Sequence, residues 1–173
     1  TKNNGGSSWL KDLTLLEEMI KEVVKVSSKP VSCKIRLGWD DSKINVEEVC
    51  KILQDNGVSL IAIHARTTKQ GYTGKARYEE LKNIRSILHI PFIISGDIFT
   101  ADDAINAMEI TGADAVMVAR GGTGNPLLVK EINSRTAEIL NWKEERSFAK
   151  QKEFLLEYAT NLIKEKGEDR AIR

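Results

Sequence analysis

Four short apolar runs, each closed by a polar residue or a glycine, alternate along this 173-residue chain with segments of helical periodicity. No other feature constrains the fold as much. The runs cover 31–37 (Val31 to Leu37), 60–64 (Leu60 to His64), 91–95 (Pro91 to Ser95) and 115–119 (Ala115 to Ala119). The run at 60–64 is almost wholly apolar, which suits a strand covered on both faces, as in a parallel sheet. Leu13, Leu16, Ile20 and Val23 predict a helix over about 12–27. Val46, Val49, Ile52 and Leu53 predict a second, opened by Asn45 with Glu48 as a capping-type carboxylate and stopped near Gly57. Helical spacing returns from Tyr78 to Leu88. A further helix should begin at Thr100 with Asp103 and end at Gly112, and another should run from Pro126 to Leu140. Strand–helix units of about 30 residues, four in succession, are the βα order of a parallel sheet.

After Asn141 the strand-like runs cease. Phe154, Leu155, Tyr158, Leu162 and Ile163 fall on one side of a charged segment and predict a long helix outside the sheet. The chain thus divides into an α/β part, 1–141, and a helical part, 142–173. No stretch reaches the roughly 20 apolar residues that cross a bilayer. Thr1 to Ser8 lacks the apolar core of a signal peptide. Two cysteines make no disulfide framework, so a cytoplasmic setting is expected. With 26 basic against 25 acidic residues, overall charge points to no polyanionic partner.

The carboxyl ends of parallel strands form the ligand face of such folds. Here they carry Lys34 and Arg36, then His64 and Arg66, then Ser95-Gly96-Asp97, then Arg120-Gly121-Gly122. Lys34 lies within a strand, where a charged side chain needs a partner. His64 reads equally as a core histidine, Asp97 as a helix cap, and the glycines as turns. Gly121 to Pro126 is glycine-rich ahead of a helix, yet Leu127 stands where a dinucleotide fingerprint needs a third glycine. What remains is a loop whose N–H groups can hold a phosphate. Cys33 and Cys50 have no metal-ligand spacing, and no metal site is expected. Residues 64–85 hold Arg66, Lys69, Lys75, Arg77, Lys82 and Arg85 against Glu79 and Glu80, with Tyr72 and Tyr78 among them. That excess reads either as a polyanion contact or as a solvated face.

Several of these segments together resemble one family. His64 to Gly74 is similar to the "HGRT…Y.G" segment of tRNA-dihydrouridine synthases. VSCKIRLG at 31–38 resembles their "VTVKiRlG", PFIISGDI at 91–98 their "PViaNGDI", and VMVARGGTGNP at 116–126 their "vMiGRga.GnP". Gly6 to Leu10 resembles their "G.ALL" segment. The likeness implies an FMN-dependent (β/α)8 TIM barrel, of which this chain is the second half, strands five to eight, followed by the start of a helical domain. It implies NADPH-dependent reduction of uridine to 5,6-dihydrouridine in tRNA. It implies cofactor contacts at Lys34, His64, Ser95, Gly96, Asp97, Ala119, Arg120 and Gly121, with Lys34 at the flavin ring. Arg36 and Arg66 become contacts to substrate or RNA.

Three departures stand out. Ser95 replaces the family's Asn, and Ala119 its Gly. The Asn-x-Gly-Cys-Pro loop that carries the catalytic cysteine is expected just upstream of Thr1, and neither Cys33 nor Cys50 matches it. Without that loop the chain is expected to be inactive alone, and a half-barrel exposes apolar edges. It should pair with the missing half-barrel or with itself. Two other readings stay open: a non-catalytic phosphate-binding scaffold, and another FMN barrel of the dihydroorotate dehydrogenase kind.

Overall fold

The computed structural model describes residues 5–136, together with Lys152, Leu156, Glu157, Thr160, Asn161, Ile163 and Lys164. Strands β1 (Ser32–Arg36), β4 (Leu60–His64), β5 (Phe92–Ser95) and β6 (Ala115–Met117) form one sheet in the order β1-β4-β5-β6. Every neighbouring pair in it is parallel. Between β1 and β4 lies a small antiparallel hairpin, β2 (Gly38–Asp40) with β3 (Lys43–Ile44). The helices are α1 (Leu13–Val26), α2 (Val46–Asp55), α3 (Ile84–Ile87), α4 (Ala101–Thr111) and α5 (Leu128–Thr136).

Register explains how the two sheet faces differ. Arg36, His64, Ser95 and Met117 lie side by side in one row across the strands, with Lys34, Ala62, Ile93 and Ala115 in a row two residues earlier. Side chains alternate along a strand, so both rows share one face. The other face carries Ile61, Ile63, Phe92 and Ile94, all fully buried. They meet Val49, Cys50 and Leu53 of α2 and the alanines Ala101, Ala104 and Ala107 of α4 in one hydrophobic core. Small residues on α4 let that helix lie close to β5 and β6. On the first face, Lys34 and Ala115 are exposed and Ile93 is only half-buried.

Local chemistry accounts for the element ends. Asp12 accepts the N–H of Leu15 at 3.1 Å and caps α1. Thr100 and Asp103 form a reciprocal capping box, and Gly112 closes α4 in the left-handed conformation. Asn45 precedes α2 but does not cap it, contrary to the sequence expectation. Its Nδ2 instead donates to the Leu10 carbonyl at 2.9 Å, tying the Gly6–Lys11 turn to the start of α2.

The helix expected from Tyr78 to Leu88 is two pieces, a 3-10 turn at Tyr78–Leu81 and the single turn α3. Leu81, Ile84 and Leu88 are still buried at helical spacing. The N–H groups ahead of the first piece are committed elsewhere, Ala76 to Asp97 and Arg77 to Ala65. The last helix begins at Leu128 rather than Pro126, after a turn in which Leu128 N–H bonds Asn125. The boundary at 141–142 and the stripe Phe154, Leu155, Tyr158 and Leu162 lie outside the described residues. Ile163 is 41% exposed.

Candidate cofactor site

The β5 and β6 ends are held together by a backbone contact that only glycine permits. A Cβ on Gly121 would stand 1.9 Å from the Ile98 carbonyl oxygen. Gly96 has φ +123°, and a Cβ there would meet Ala76 Cβ and His64 Cδ2, each at 3.1 Å. These close approaches shape a cavity of about 140 Å³ at the carboxyl edge of the sheet. Its walls include Lys34, His64, Ser95, Gly96, Asp97, Ala119, Arg120 and Gly121. All eight positions expected to touch a cofactor therefore line one space. Among the described residues, no protein acceptor takes the backbone N–H of Gly96, Asp97, Ala119, Arg120 or Gly121. Such a cluster of unclaimed donors suits an anion.

Asp97 organises the site. It is the one non-glycine residue with positive φ, at +50°, among those described. Its carboxylate accepts Arg66 Nη2 at 2.8 and 2.6 Å, Ala76 N–H at 2.7 Å and Arg120 Nη2 at 3.0 Å. Burial alone would raise its pKa; the bonds from Arg66 and Ala76 and the charges of Arg66 and Arg120 outweigh that and hold it lowered. It does not cap α4, a task that falls to Thr100.

Arg66, expected at substrate or RNA, is only 1% exposed. Besides Asp97 it donates to the carbonyls of Gly74 at 2.7 Å and Thr73 at 3.4 Å, and its Nη1 faces His64 Nε2 at 3.4 Å. It thus pins the 64–74 loop rather than reaching outward. Arg36 donates to the carbonyls of Thr67 at 2.8 Å and Gly71 at 3.1 Å from below the same loop. Tyr78 hydroxyl donates to the Gly96 carbonyl. Burial, with the charges of Asp97 and Asp103, pushes its pKa up to about 12, so it remains a donor.

Positive charge dominates the cavity. Although the residue as a whole is exposed, the Lys34 ammonium is partly desolvated, and that, with the charge of Arg36, lowers its pKa. His64 is brought down to about 4 by burial and by Arg36, Lys34 and Arg66, which Asp97 offsets only in part. The imidazole is therefore neutral at pH 7. Arg120 lies over two rings, 4.8 Å from the Tyr72 centroid and 5.6 Å from that of Phe99. Tyr72 and Phe99 were not singled out as cavity residues, yet both line it. Their signal was faint, a tyrosine among cations and a phenylalanine just beyond Gly96-Asp97.

The basic excess at 64–85 largely disappears on folding. Arg66 pairs with Asp97, Lys69 with Asp40, Arg77 with Asp41 and Arg85 with Asp114, all carboxylates from outside that segment. Cys50 is buried, its thiol pushed up to about 12 chiefly by burial, and Cys33 is half-buried and also raised. Neither is primed to lose a proton. Among the described residues no His, Cys, Asp and Glu cluster could hold a metal. None of their helices is long and apolar enough to cross a membrane.

Comparison with known proteins adds a family. The dihydrouridine synthase (Dus) family model matches residues 1–173. A probable tRNA-dihydrouridine synthase 1 from Synechocystis sp. is 46% identical over 132 residues, 76% of this chain and 37% of the relative. A tRNA-dihydrouridine synthase B from Shewanella oneidensis is 33% identical over 172 residues, 99% of this chain and 53% of the relative. The chain spans about half or less of the length of these curated relatives. A solved mandelate oxidase bound to 3,3-difluoro-2-hydroxy-3-phenylpropionic acid aligns at a TM-score of 0.42 and 18% identity, over 60% of this chain and 36% of that one. That likeness is too slight to bear on the fold.

Proposed function

This chain belongs to the dihydrouridine synthase family, and from that premise we propose that it is the second half of an FMN-binding (β/α)8 barrel that reduces uridine to 5,6-dihydrouridine in tRNA. The observation that carries the reading is the convergence of Lys34, His64, Ser95 to Asp97 and Ala119 to Gly121 on one cavity. They come from all four parallel strands or the turns that follow them. The residues fit the cofactor's chemistry. Unclaimed N–H groups at the last two strand ends suit its phosphate, as they do in barrels generally. Lys34 and Arg120 on the cavity wall, with Arg36 and Arg66 behind it, against the single carboxylate of Asp97 suit an anionic ligand. The cavity's 140 Å³ falls short of the roughly 300–1,000 Å³ of ligand pockets, which suits a site completed by residues outside this chain.

Bound FMN would supply the hydride that uracil accepts at its C5=C6 bond, with NADPH as the reductant. The chain's own residues do the rest. Lys34 sets a partly desolvated ammonium where added negative charge on the ring is stabilised. Arg120, over the Tyr72 and Phe99 rings and bonded to Asp97, would close the phosphate end. Tyr78 and Asp97 fix the Gly96 turn. The proton for the second uracil carbon would come from a cysteine that this sequence does not contain, since neither Cys33 nor Cys50 lines the cavity. The protein works in the cytoplasm. The chain would pair with the other half-barrel or with itself through β1 and β6, the outer strands of the described sheet.

The test is the full-length protein. It should purify yellow and restore dihydrouridine to deficient tRNA with NADPH. Lys34→Met should stay folded and flavin-loaded while losing about 100-fold in flavin reduction or in uridine reduction, a cost of about 3 kcal/mol. A colourless protein with no activity on tRNA would favour the phosphate-binding scaffold. Unchanged rates for both half-reactions in Lys34→Met would leave Lys34 a structural cation.

A further inference from the structure

Two contacts of the His64 ring fall on one edge. Its Nε2 faces Arg66 Nη1 at 3.4 Å. Its Cδ2 lies against the Gly96 backbone, close enough that a Cβ there would stand 3.1 Å away. The opposite edge of an imidazole is the one that carries Nδ1. A guanidinium has donors and no acceptor, so Nε2 opposite Arg66 must offer a lone pair. The proton of the neutral ring then sits on Nδ1. Arg66 cannot swing away, because it is buried and fastened to both carboxylate oxygens of Asp97 and to the Gly74 carbonyl.

We propose that Arg66, fixed by Asp97, is a positioning residue that locks His64 as the Nδ1–H tautomer, so that the cavity presents an N–H donor to a carbonyl oxygen of a planar heterocycle. The proposal deepens the reading above and rests on it for the identity of that heterocycle, flavin or uracil. The charged and titratable groups around the ring agree with it. Lys34 and Arg36 on β1 and Arg66 beyond β4 all oppose an imidazolium, Asp97 after β5 favours one less strongly, and the Tyr72 ring centroid is 6.1 Å away. His64 accordingly serves as a hydrogen-bond donor across the neutral pH range, neither taking nor giving a proton there.

Nitrogen-15 NMR of histidine-labelled full-length protein tests this directly. In the protein stripped of flavin, the His64 signals at pH 7 should show a protonated Nδ1 and an unprotonated Nε2. An Nε2–H tautomer or a doubly protonated ring would overturn the proposal, whatever the enzyme does to tRNA. Arg66→Met should let the two tautomers mix, and a pure Nδ1–H ring in that variant would remove Arg66 from the account. If Arg66→Met does not fold, Arg66→Gln takes its place. Its amide offers an acceptor as well as donors, so the tautomers should mix there too; a pure Nδ1–H ring in that variant contradicts the role given to Arg66. Adding FMN should move the Nδ1 signal if the acceptor is the flavin. A move only on adding tRNA to the FMN-loaded protein assigns the acceptor to uracil. No move with either overturns the ligand contact, and it does so even if the protein binds flavin and reduces tRNA.

Discussion

Asp97 occupies a backbone conformation that asparagine and aspartate tolerate better than most residues, and four hydrogen bonds hold it there. Through Arg66 it reaches His64, whose pKa is brought from 6.5 to about 4 in the folded protein. The sign of the stability effect follows. As pH falls below about 6.5 the unfolded chain takes up the His64 proton first, so the folded state loses ground. The loss continues until the folded imidazole also protonates near pH 4. It amounts to at most about 3 kcal/mol. Asp97, lowered as well, adds its own loss at still lower pH. Urea unfolding of the full-length protein at pH 7 and at pH 4.5 should therefore show a drop in stability that shrinks in His64→Asn. An equal drop in the variant contradicts the assignment. Residues 64, 95–97 and 119–121 stand out in the sequence because they close apolar runs, and Lys34 because it is a cation inside one. The role of Arg66 was not legible there, since the carboxylate that buries it stands 31 residues away.

Elements were legible where one strong signal set them. The four strands follow their apolar runs, and α4 follows its capping box and its left-handed glycine. The hairpin was missed because β2 and β3 have three and two residues, too few for a period to emerge. It nevertheless props the 64–74 loop, with Thr68 N–H donating to Gly38 and Lys69 N–H to Trp39. The Tyr78–Leu88 helix was overread because periodicity reports which residues are buried, while backbone commitments to Asp97 and Ala65 decide the conformation. Between elements, Gly121 joins the β5 and β6 turns. Gly121→Ala must separate the two backbones, at about 1–3 kcal/mol, and should weaken FMN binding at least tenfold. Gly122→Ala is the control, because its Cβ meets only a Val118 methyl at 3.3 Å. Thermal unfolding and flavin titration of the two variants should separate them. Equal behaviour would mean that the close approach of Gly121 does not shape the site.

At the scale of the whole molecule, one sheet face is sealed by helices and the other carries the cations and the cavity. On the half-barrel reading proposed above, Lys34 and Arg36 would face the space that further strands enclose. The parallel order was legible in the sequence from the repeating strand–helix pattern, whereas the pairing of basic loop residues with distant carboxylates emerges only on folding. The most direct measurement is a crystal structure of the flavin-loaded full-length protein. It should place the FMN phosphate within hydrogen-bond distance of N–H groups at Gly96–Asp97 and Ala119–Gly121, with Lys34 Nζ at the ring. Flavin bound elsewhere, or those N–H groups bonded to other protein atoms while the flavin is in place, would contradict the account.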